Sequence, residues 1–170
     1  EFHFDQPVQK ILVEEKRATG IQLANSSVKA DIVVSNVDMW YTHKKLLKEH
    51  ALPTKRLAQE RSSSAIIFYW AMDKSFDQLG LHNIVFSTNY EQEFKRIFND
   101  KSLPEDPTVY IHISSKVVTT DAPEGCENWF VMINVPGNHS IDWEANKEKL
   151  KIILINIINK NLKTDITDHI

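Results

Sequence analysis

The stretch SSSAIIFYWAM, residues 62–72, decides the fold class, because almost every residue after its serines is apolar. β-Branched and aromatic side chains dominate it, and these are enriched in β-strands. A strand without polar alternation is typical of one buried on both faces. The stretch therefore predicts a strand at the centre of a sheet.

Further strands and helices follow this stretch along the chain. HNIVFS (82–87), TVYIHIS (108–114) and NWFVMINVP (128–136) have the composition of strands. Residues 90–100 predict a helix with Tyr90, Phe94, Ile97 and Phe98 on one stripe. A longer helix is predicted after Ser140 as its cap, with the apolar stripe Leu150, Ile153, Leu154, Ile157 and Ile158. This order predicts an α+β fold, with a mixed, largely antiparallel β-sheet covered by helices.

The residues before this stretch predict a smaller unit. Residues 7–23 have the alternation of a hairpin, ANSSVKA (24–30) predicts a second turn, and DIVVS (31–35) predicts a third strand. Together they form a short β-meander. Residues 38–60 change to a helical pattern, with Asp38 as a cap and a second short helix starting at Thr54. The best domain boundary lies in this shift, between residues 38 and 62.

Composition excludes several classes of protein. The chain has 170 residues and a net charge of −3, and no basic run is interleaved with aromatics, so nucleic acid is not expected as a partner. One cysteine, Cys126, excludes an internal disulfide and a cysteine-built zinc site. The most apolar stretch, residues 150–162, is shorter than the roughly 20 residues of a membrane span. Both ends look as if cut from a longer protein.

No constellation of residues predicts a catalytic or metal site. The four glycines, at positions 20, 80, 125 and 137, are too far apart for a phosphate-binding loop. No serine lies in G-x-S-x-G, and the histidines form no H-E-x-x-H motif. His139 with Asp142 favours a helix start over a metal site. His112 has two interpretations, a side chain facing a cleft or a hydrogen-bonded histidine of the sheet, and the second is favoured.

Aromatic residues on the predicted strands are the remaining candidates for a site. They are Phe68, Tyr69, Trp70, Tyr110, Trp129 and Phe130. A sheet face rich in aromatics can form the wall of an apolar ligand pocket. The alternative is an ordinary sheet core packed under helices, which composition alone favours.

Three blocks of the chain resemble the carotenoid desaturases (phytoene dehydrogenases), FAD-dependent flavoproteins of the amine-oxidase-like group. The blocks are VQKILVEEKRATGIQLANSSVKADIVVSNVD (8–38), SSSAIIFYWAMDKSFDQLGLHNIVFSTNYEQEFKRIF (62–98) and LPEDPTVYIHISSKVVTTDAPEGCENWFVMINVP (103–136). They occur in the family's order and with similar spacing. This implies that residues 1–37 are a late, incomplete part of an FAD-binding domain. Residues 38–170 would then be a substrate-binding domain that is truncated at its C-terminus.

The resemblance also implies cofactor contacts. The strand matching PVQKI lies beside the adenine in such flavoproteins, which carries over to Val8. The SNVD tip places Asn36 and Asp38 near the cofactor or the domain junction. The family more often has SNAD, so the bulkier Val37 puts a close backbone approach in doubt. Because the glycine-rich loop is absent, we expect this chain alone to bind FAD weakly or not at all.

The implied reaction is removal of hydrogen across C–C bonds of a long polyene, with the flavin as acceptor. The residues expected to line the apolar substrate are Phe68, Trp70, Tyr110 and Trp129. The expected location of the parent protein is cytoplasmic, with peripheral contact to a membrane. Alternatives that the resemblance leaves open are a carotenoid isomerase, a retinoid saturase and an amine oxidase. A non-enzymatic module that binds an apolar ligand or a protein is a further alternative.

Overall fold

The computed structural model describes residues 1–137 and 141–170, and it divides the chain into two compact units, Glu1–Glu60 and Arg61–Ile170. The division falls within the predicted boundary region. The resemblance instead separates the domains after residue 37, and that assignment stays a prediction.

The first unit contains a three-stranded antiparallel sheet in the order β1-β2-β3. β1 is Lys10–Glu14, β2 is Arg17–Gln22 and β3 is Ser27–Lys29. Glu15 and Lys16 form the first turn, and both have positive φ (48° and 65°), which matches the twist of a two-residue hairpin loop. The predicted β-meander is therefore present.

The third strand of this meander is not where the sequence predicts it. Residues 31–35 form no strand, and Ile32 and Val34 are 79% and 86% exposed. The chain reverses at Leu23–Ser26, where the Leu23 N–H donates to the Ser26 carbonyl (2.8 Å), so the residues directly after this turn pair with β2. The apolar residues of DIVVS have no neighbouring strand in the part of the chain that the structure describes.

Two short helices complete the first unit. α1 is Met39–Tyr41, and a wider helical turn, Thr42–Leu46, continues it. α2 is Thr54–Leu57, which confirms the predicted start at Thr54. Leu46 and Ile11 are the unit's buried apolar residues among those described.

The second unit is built on a four-stranded antiparallel sheet in the order β4-β7-β6-β5. β4 is Ser64–Met72, β5 is His82–Val85, β6 is Val109–His112 and β7 is Glu127–Val135. β4 and β7 pair over nine residues, from Ser64 opposite Val135 to Met72 opposite Glu127. The α+β class and the antiparallel sheet are confirmed.

β4 lies at the edge of this sheet, so the predicted central position is wrong. Its only described neighbour is β7. Burial along β4 alternates towards its end: Trp70 and Met72 are buried, whereas Ile67 and Tyr69 are 39% and 78% exposed. The run lacks polar alternation because both faces of the strand carry apolar residues, although helices cover only one of them.

The described residues of the second unit form two α-helices and three short 3-10 helices, Ser114–Lys116, Thr119–Asp121 and Thr167–His169. α3 is Tyr90–Lys95, extended by a wider turn, Arg96–Asp100. α4 is Trp143–Leu162, and its cap is Asp142, whose carboxylate accepts a hydrogen bond from the Ala145 N–H. The predicted cap, Ser140, is displaced by Asp142 and lies, like His139, outside the described residues.

One face of α4 packs on one face of the sheet. The buried residues of α4 are Leu150, Leu154, Ile155 and Ile158, which form one core with Trp70, Trp129, Val131 and Ile133 of the sheet. The predicted stripe is thus largely confirmed, with Ile155 added and Ile153 and Ile157 only half-buried.

Substitutions on α4 test this packing. We expect Leu154→Ala to lower the free energy of unfolding by about 3 kcal/mol, because the fully buried side chain leaves a cavity. The matched control is Ile152→Ala on the same helix, where the side chain is 59% exposed and the loss is below about 1 kcal/mol. Urea denaturation followed by circular dichroism measures both, and equal losses would contradict the packing.

Candidate functional site

The sheet of the second unit has one face under α4 and one face that helices leave open. Along β7, burial alternates strictly: Trp129, Val131 and Ile133 are buried, whereas Phe130 and Met132 are half-exposed. Because side chains of a strand alternate between faces, β7 contributes to both. β6 does the same, with Val109 and Ile111 buried and Tyr110 and His112 half-exposed.

We call the uncovered surface the open face. It consists of Ala65, Ile67, Tyr69 and Ala71 from β4, Asn128, Phe130, Met132 and Asn134 from β7, Tyr110 and His112 from β6, and His82 and Ile84 from β5. β4 and β7, the two nine-residue strands that contribute most of it, are roughly 27 Å long at about 3.4 Å per residue. Exposed apolar side chains that adjoin one another on a surface mark candidate binding sites.

Aromatic rings on the open face contact one another. The rings of Tyr69 and Phe130 meet edge to face with their centroids 5.5 Å apart. Tyr110 meets Phe130 in the same way at 6.3 Å. Edge-to-face contacts of this kind hold the rings in defined positions, so they form a fixed apolar wall.

A cavity of about 650 Å³ lies at one end of this face. Tyr69, Ala71, His112 and Phe130 line it from the sheet, and residues 121–123 with Cys126 line it from the loop before β7. Asn128 fixes that loop, since its amide accepts from the Ser115 N–H (3.0 Å) and donates to Ser114 Oγ (2.7 Å). A cavity of this size and lining suits an apolar ligand.

His82, Tyr110 and His112 place polar atoms within this apolar surface. His82 lies directly opposite His112 in the sheet, and their ring centroids are 5.1 Å apart. His82 Nδ1 and the Tyr110 hydroxyl are hydrogen-bonded at 2.9 Å. The side chain of His112 makes no hydrogen bond to any residue that the structure describes. His112 lines the cavity, so its side chain faces a cleft, which was the less favoured of the two interpretations.

The buried carboxylate of Glu127, which lines the cavity, connects several segments of the chain by hydrogen bonds. Glu127 Oε1 accepts from the Phe76 N–H (3.0 Å) and from Lys116 Nζ (2.5 Å), and Oε2 accepts from Trp129 Nε1 (2.7 Å). Ser75 Oγ also donates to Glu127 (2.8 Å). Burial by itself raises the pKa of Glu127, but these hydrogen bonds, led by that of Lys116, hold the pKa below its usual range.

The predicted substrate-lining residues lie on both faces of the sheet. Trp70 and Trp129 are opposite each other on the helix-covered face and are buried, and Phe68 packs beside them. Tyr110 alone is on the open face. Trp70 and Trp129 nevertheless both line the cavity described above, whereas Phe68 and Tyr110 are not among its lining residues. The structure thus brings two of the four together there, and the contact of all four with substrate stays a prediction.

The predicted cofactor-binding residues all belong to the first unit. Val8 precedes β1 and is 37% exposed, and Asn36 is exposed in the irregular segment after β3. Asp38 caps α1 as predicted, because its Oδ1 accepts from the Trp40 N–H (2.8 Å) and the Tyr41 N–H (3.3 Å). Their contact with a cofactor also stays a prediction.

His82 and Met132 are candidate residues that sequence reasoning missed. Strand alternation groups His82 with Ile84, but nothing in the sequence shows that β5 pairs with β6 so that His82 faces His112. Among the residues that the structure describes, no three histidine, cysteine, aspartate or glutamate side chains are grouped so that they could hold a metal ion. Nor do the described helices include one long and apolar enough to cross a membrane.

No family model matches the chain, but comparison with known proteins finds several that are similar to it in sequence. It is 50% identical over 170 residues to a 1-hydroxycarotenoid 3,4-desaturase of a Flavobacterium strain, covering the whole chain and 35% of that protein. It is 34% identical over 153 residues to the zeta-carotene-forming phytoene desaturase of Myxococcus xanthus, covering 88% of the chain and 29% of the relative. A phytoene desaturase of Cercospora nicotianae is 34% identical over 146 residues, with 84% and 23% covered.

A solved structure shows the same fold. It is the crystal structure of an oxidoreductase from Methanosarcina mazei, with a TM-score of 0.52 and 16% identity, covering 91% of this chain and 33% of that one. That likeness shows the fold. In sequence, the chain is similar to carotenoid and phytoene desaturases over most of its length, and it spans about a third or less of the length of the relatives named here.

Substitution of Glu127 tests the buried network. We expect Glu127→Gln to lower the free energy of unfolding at pH 7 by about 2–4 kcal/mol, because Lys116 loses its carboxylate partner. The exposed Glu124→Gln, three residues earlier, is the control and changes little.

The same network predicts a pH dependence. A carboxylate with a lowered folded-state pKa contributes stability above its unfolded pKa of about 4.3, and this is lost as pH falls through the folded value. We therefore expect the difference between the wild-type chain and Glu127→Gln to shrink below about pH 4. A difference that is constant from pH 7 to pH 3 would show that ionisation of Glu127 does not stabilise the fold.

Proposed function

We propose that this chain is the substrate-binding part of an FAD-dependent desaturase that acts on a long polyene. The observation that carries the proposal is the open face, an apolar strip roughly 27 Å long that ends in a cavity, in a chain related to carotenoid desaturases. A straight hydrocarbon matches a strip of this kind. The substrate would lie along Ile67, Tyr69 and Phe130, which exclude water from it.

The chemistry assigned to this part of the protein is binding and orientation. FAD, when bound, supplies the acceptor for the two hydrogens removed from neighbouring carbons. The open face accordingly needs no acid–base pair or nucleophile of its own, and its described residues include neither a carboxylate pair nor an activated serine or cysteine. Its aromatic wall would hold the polyene in one register.

The residues of this chain fit FAD only in part. Val8 and Asn36 are accessible, and the Asp38 carboxylate already accepts two backbone N–H groups. The chain has no glycine-rich loop for the phosphates. We propose that Val8, Asn36 and Asp38 form one edge of an FAD site and that most of that site is formed by other residues of the complete protein.

The relatives indicate the kind of polyene. The 50% identical relative is named for a 1-hydroxycarotenoid, whereas the phytoene desaturases named above are 34% identical. We propose a hydroxylated polyene as the substrate, with an unsubstituted polyene such as phytoene as the second candidate.

Expression of the complete reading frame that contains this chain tests the proposal. We expect a yellow protein with flavin absorbance that converts an added polyene to a product with a longer conjugated system, seen as a red shift of its absorbance. The 170-residue chain alone is the control, and we expect a flavin titration to show weak or no binding to it. Purified complete protein without flavin, or without polyene turnover in its presence, would contradict the proposal.

We also propose a cytoplasmic protein with peripheral membrane contact, because such polyenes dissolve in bilayers. Phe86 and Tyr90 are 67% and 53% exposed, and their rings meet edge to face 6.2 Å apart. Amphipathic and aromatic side chains favour the membrane interface. Phe86 and Tyr90 are the residues of the second unit that we propose for this contact.

Vesicle binding tests the contact. We expect Phe86→Ser with Tyr90→Ser to reduce cosedimentation of the complete protein with phosphatidylcholine–phosphatidylglycerol vesicles several-fold. Val117→Ser, which also removes an exposed apolar side chain (66% exposed), is the control and has little effect. Equal binding by all three proteins would exclude Phe86 and Tyr90 as the contact.

A further inference from the structure

The polar atoms of His82, Tyr110 and His112 are unusual for a surface that binds a pure hydrocarbon. They lie beside the rings of Tyr69 and Phe130, and His112 lines the same cavity as those rings. Tyr110 and His112 come from one strand and His82 from the next, so the sheet itself holds the three side chains together. We call these three residues the polar cluster.

The cluster has hydrogen-bonding capacity that the described residues do not use. The His112 ring has no partner among them, and of the His82 nitrogens only Nδ1 is engaged, with the Tyr110 hydroxyl. Water satisfies these groups while the face is open. A hydrocarbon covering the face would exclude that water and leave each group unpaired, at a cost of about 1–3 kcal/mol each.

The chemistry of the cluster matches a neutral hydroxyl. Imidazole and phenol each donate and accept hydrogen bonds, as an alcohol does. No lysine or arginine is among the described residues that line the cavity, while Asp73, Asp121 and Glu127 are, so an anionic group is disfavoured. An alcohol on an apolar chain therefore removes the desolvation cost without adding a charge.

We propose that the polar cluster binds a hydroxyl group of the polyene substrate and makes the site selective for hydroxylated over unsubstituted chains. This inference rests on the proposed function. His112 and the Tyr110 hydroxyl contact the substrate hydroxyl, and His82 is a positioning residue that orients the Tyr110 hydroxyl through their 2.9 Å hydrogen bond. A site built to bind a hydroxyl can reject the analogue that lacks it by large factors, because its own polar groups are then left unpaired.

The experiment compares two ligands and four proteins. The ligands are an acyclic 1-hydroxycarotenoid and the same hydrocarbon with hydrogen in place of the hydroxyl. The proteins, made from the complete reading frame, are the wild type, Tyr110→Phe, His112→Phe and Tyr41→Phe. The last removes a phenol hydroxyl on α1, outside the open face, and is the matched control for Tyr110→Phe. Quenching of tryptophan fluorescence gives Kd, and turnover gives kcat/KM.

We expect the wild type and Tyr41→Phe to favour the hydroxylated ligand in both Kd and kcat/KM. In Tyr110→Phe and His112→Phe this preference falls about 10-fold to 100-fold, while Kd for the hydrocarbon is unchanged or lower. Loss of affinity for both ligands alike would show a purely structural role and overturn the proposal. Circular dichroism melting shows whether each variant is folded. Each substitution keeps an aromatic ring at its position, so the packing of the open face is preserved. One folded variant of Tyr110 or His112 is enough to test the proposal.

Two further results distinguish this inference from the proposed function. A wild type that turns over both polyenes without preference overturns the hydroxyl site and leaves the desaturase function standing. A wild type that binds and converts neither polyene contradicts the proposed function, and the hydroxyl site with it.

Discussion

The nine-residue pairing of β4 with β7 is the constraint on which the second unit depends. It sets Trp70 opposite Trp129 under α4 and, at the adjacent pair, sets Tyr69 opposite Phe130 on the other face. A shift of one residue in this register would exchange the two faces of a strand. The core packing of the two strands and the aromatic wall of the cavity therefore both follow from one ladder of backbone hydrogen bonds.

Glu127 stabilises the end of that ladder which lies at the cavity. Glu127 is the last residue of the pairing, opposite Met72, and it collects donors from the segment after β4 and from the loop before β7. A carboxylate that is buried and fully hydrogen-bonded in this way fixes several chain segments at once. The hydrogen bonds of Glu127 thus fix the chain segments that flank the aromatic wall of the cavity.

Much of this fold could be predicted from the sequence, since the strands and helices of the second unit have clear periodicity. Three features could not. The exposed side of β4 is as apolar as its buried side, so composition could not show that the strand lies at the sheet edge. DIVVS has strand composition, but pairing depends on a neighbour, and the turn at Leu23–Ser26 brings β3 to β2 instead. The division of the predicted aromatics between two faces depends on burial, which α4 decides.

From the sequence, the site could be predicted only as an aromatic surface, and not as a set of particular contacts. Aromatic strands indicate a pocket wall, and the resemblance to desaturases indicates the ligand class. The position of His82 beside His112, however, depends on the pairing of β5 with β6. His82 comes from a strand of four residues, 30 positions before His112 in the chain. Contacts between residues so distant in sequence are set by topology, which single-sequence periodicity does not encode.

The alternation of β7 separates two kinds of evolutionary pressure. Trp129, Val131 and Ile133 are constrained by the core, where a change in side-chain volume lowers the stability of the unit, whereas Phe130 and Met132 are constrained by whatever lies on the open face. Neighbouring codons of one strand can therefore drift at different rates. A family built on this sheet can acquire new ligand preferences by substituting every second residue, while the stability of the domain is left almost untouched.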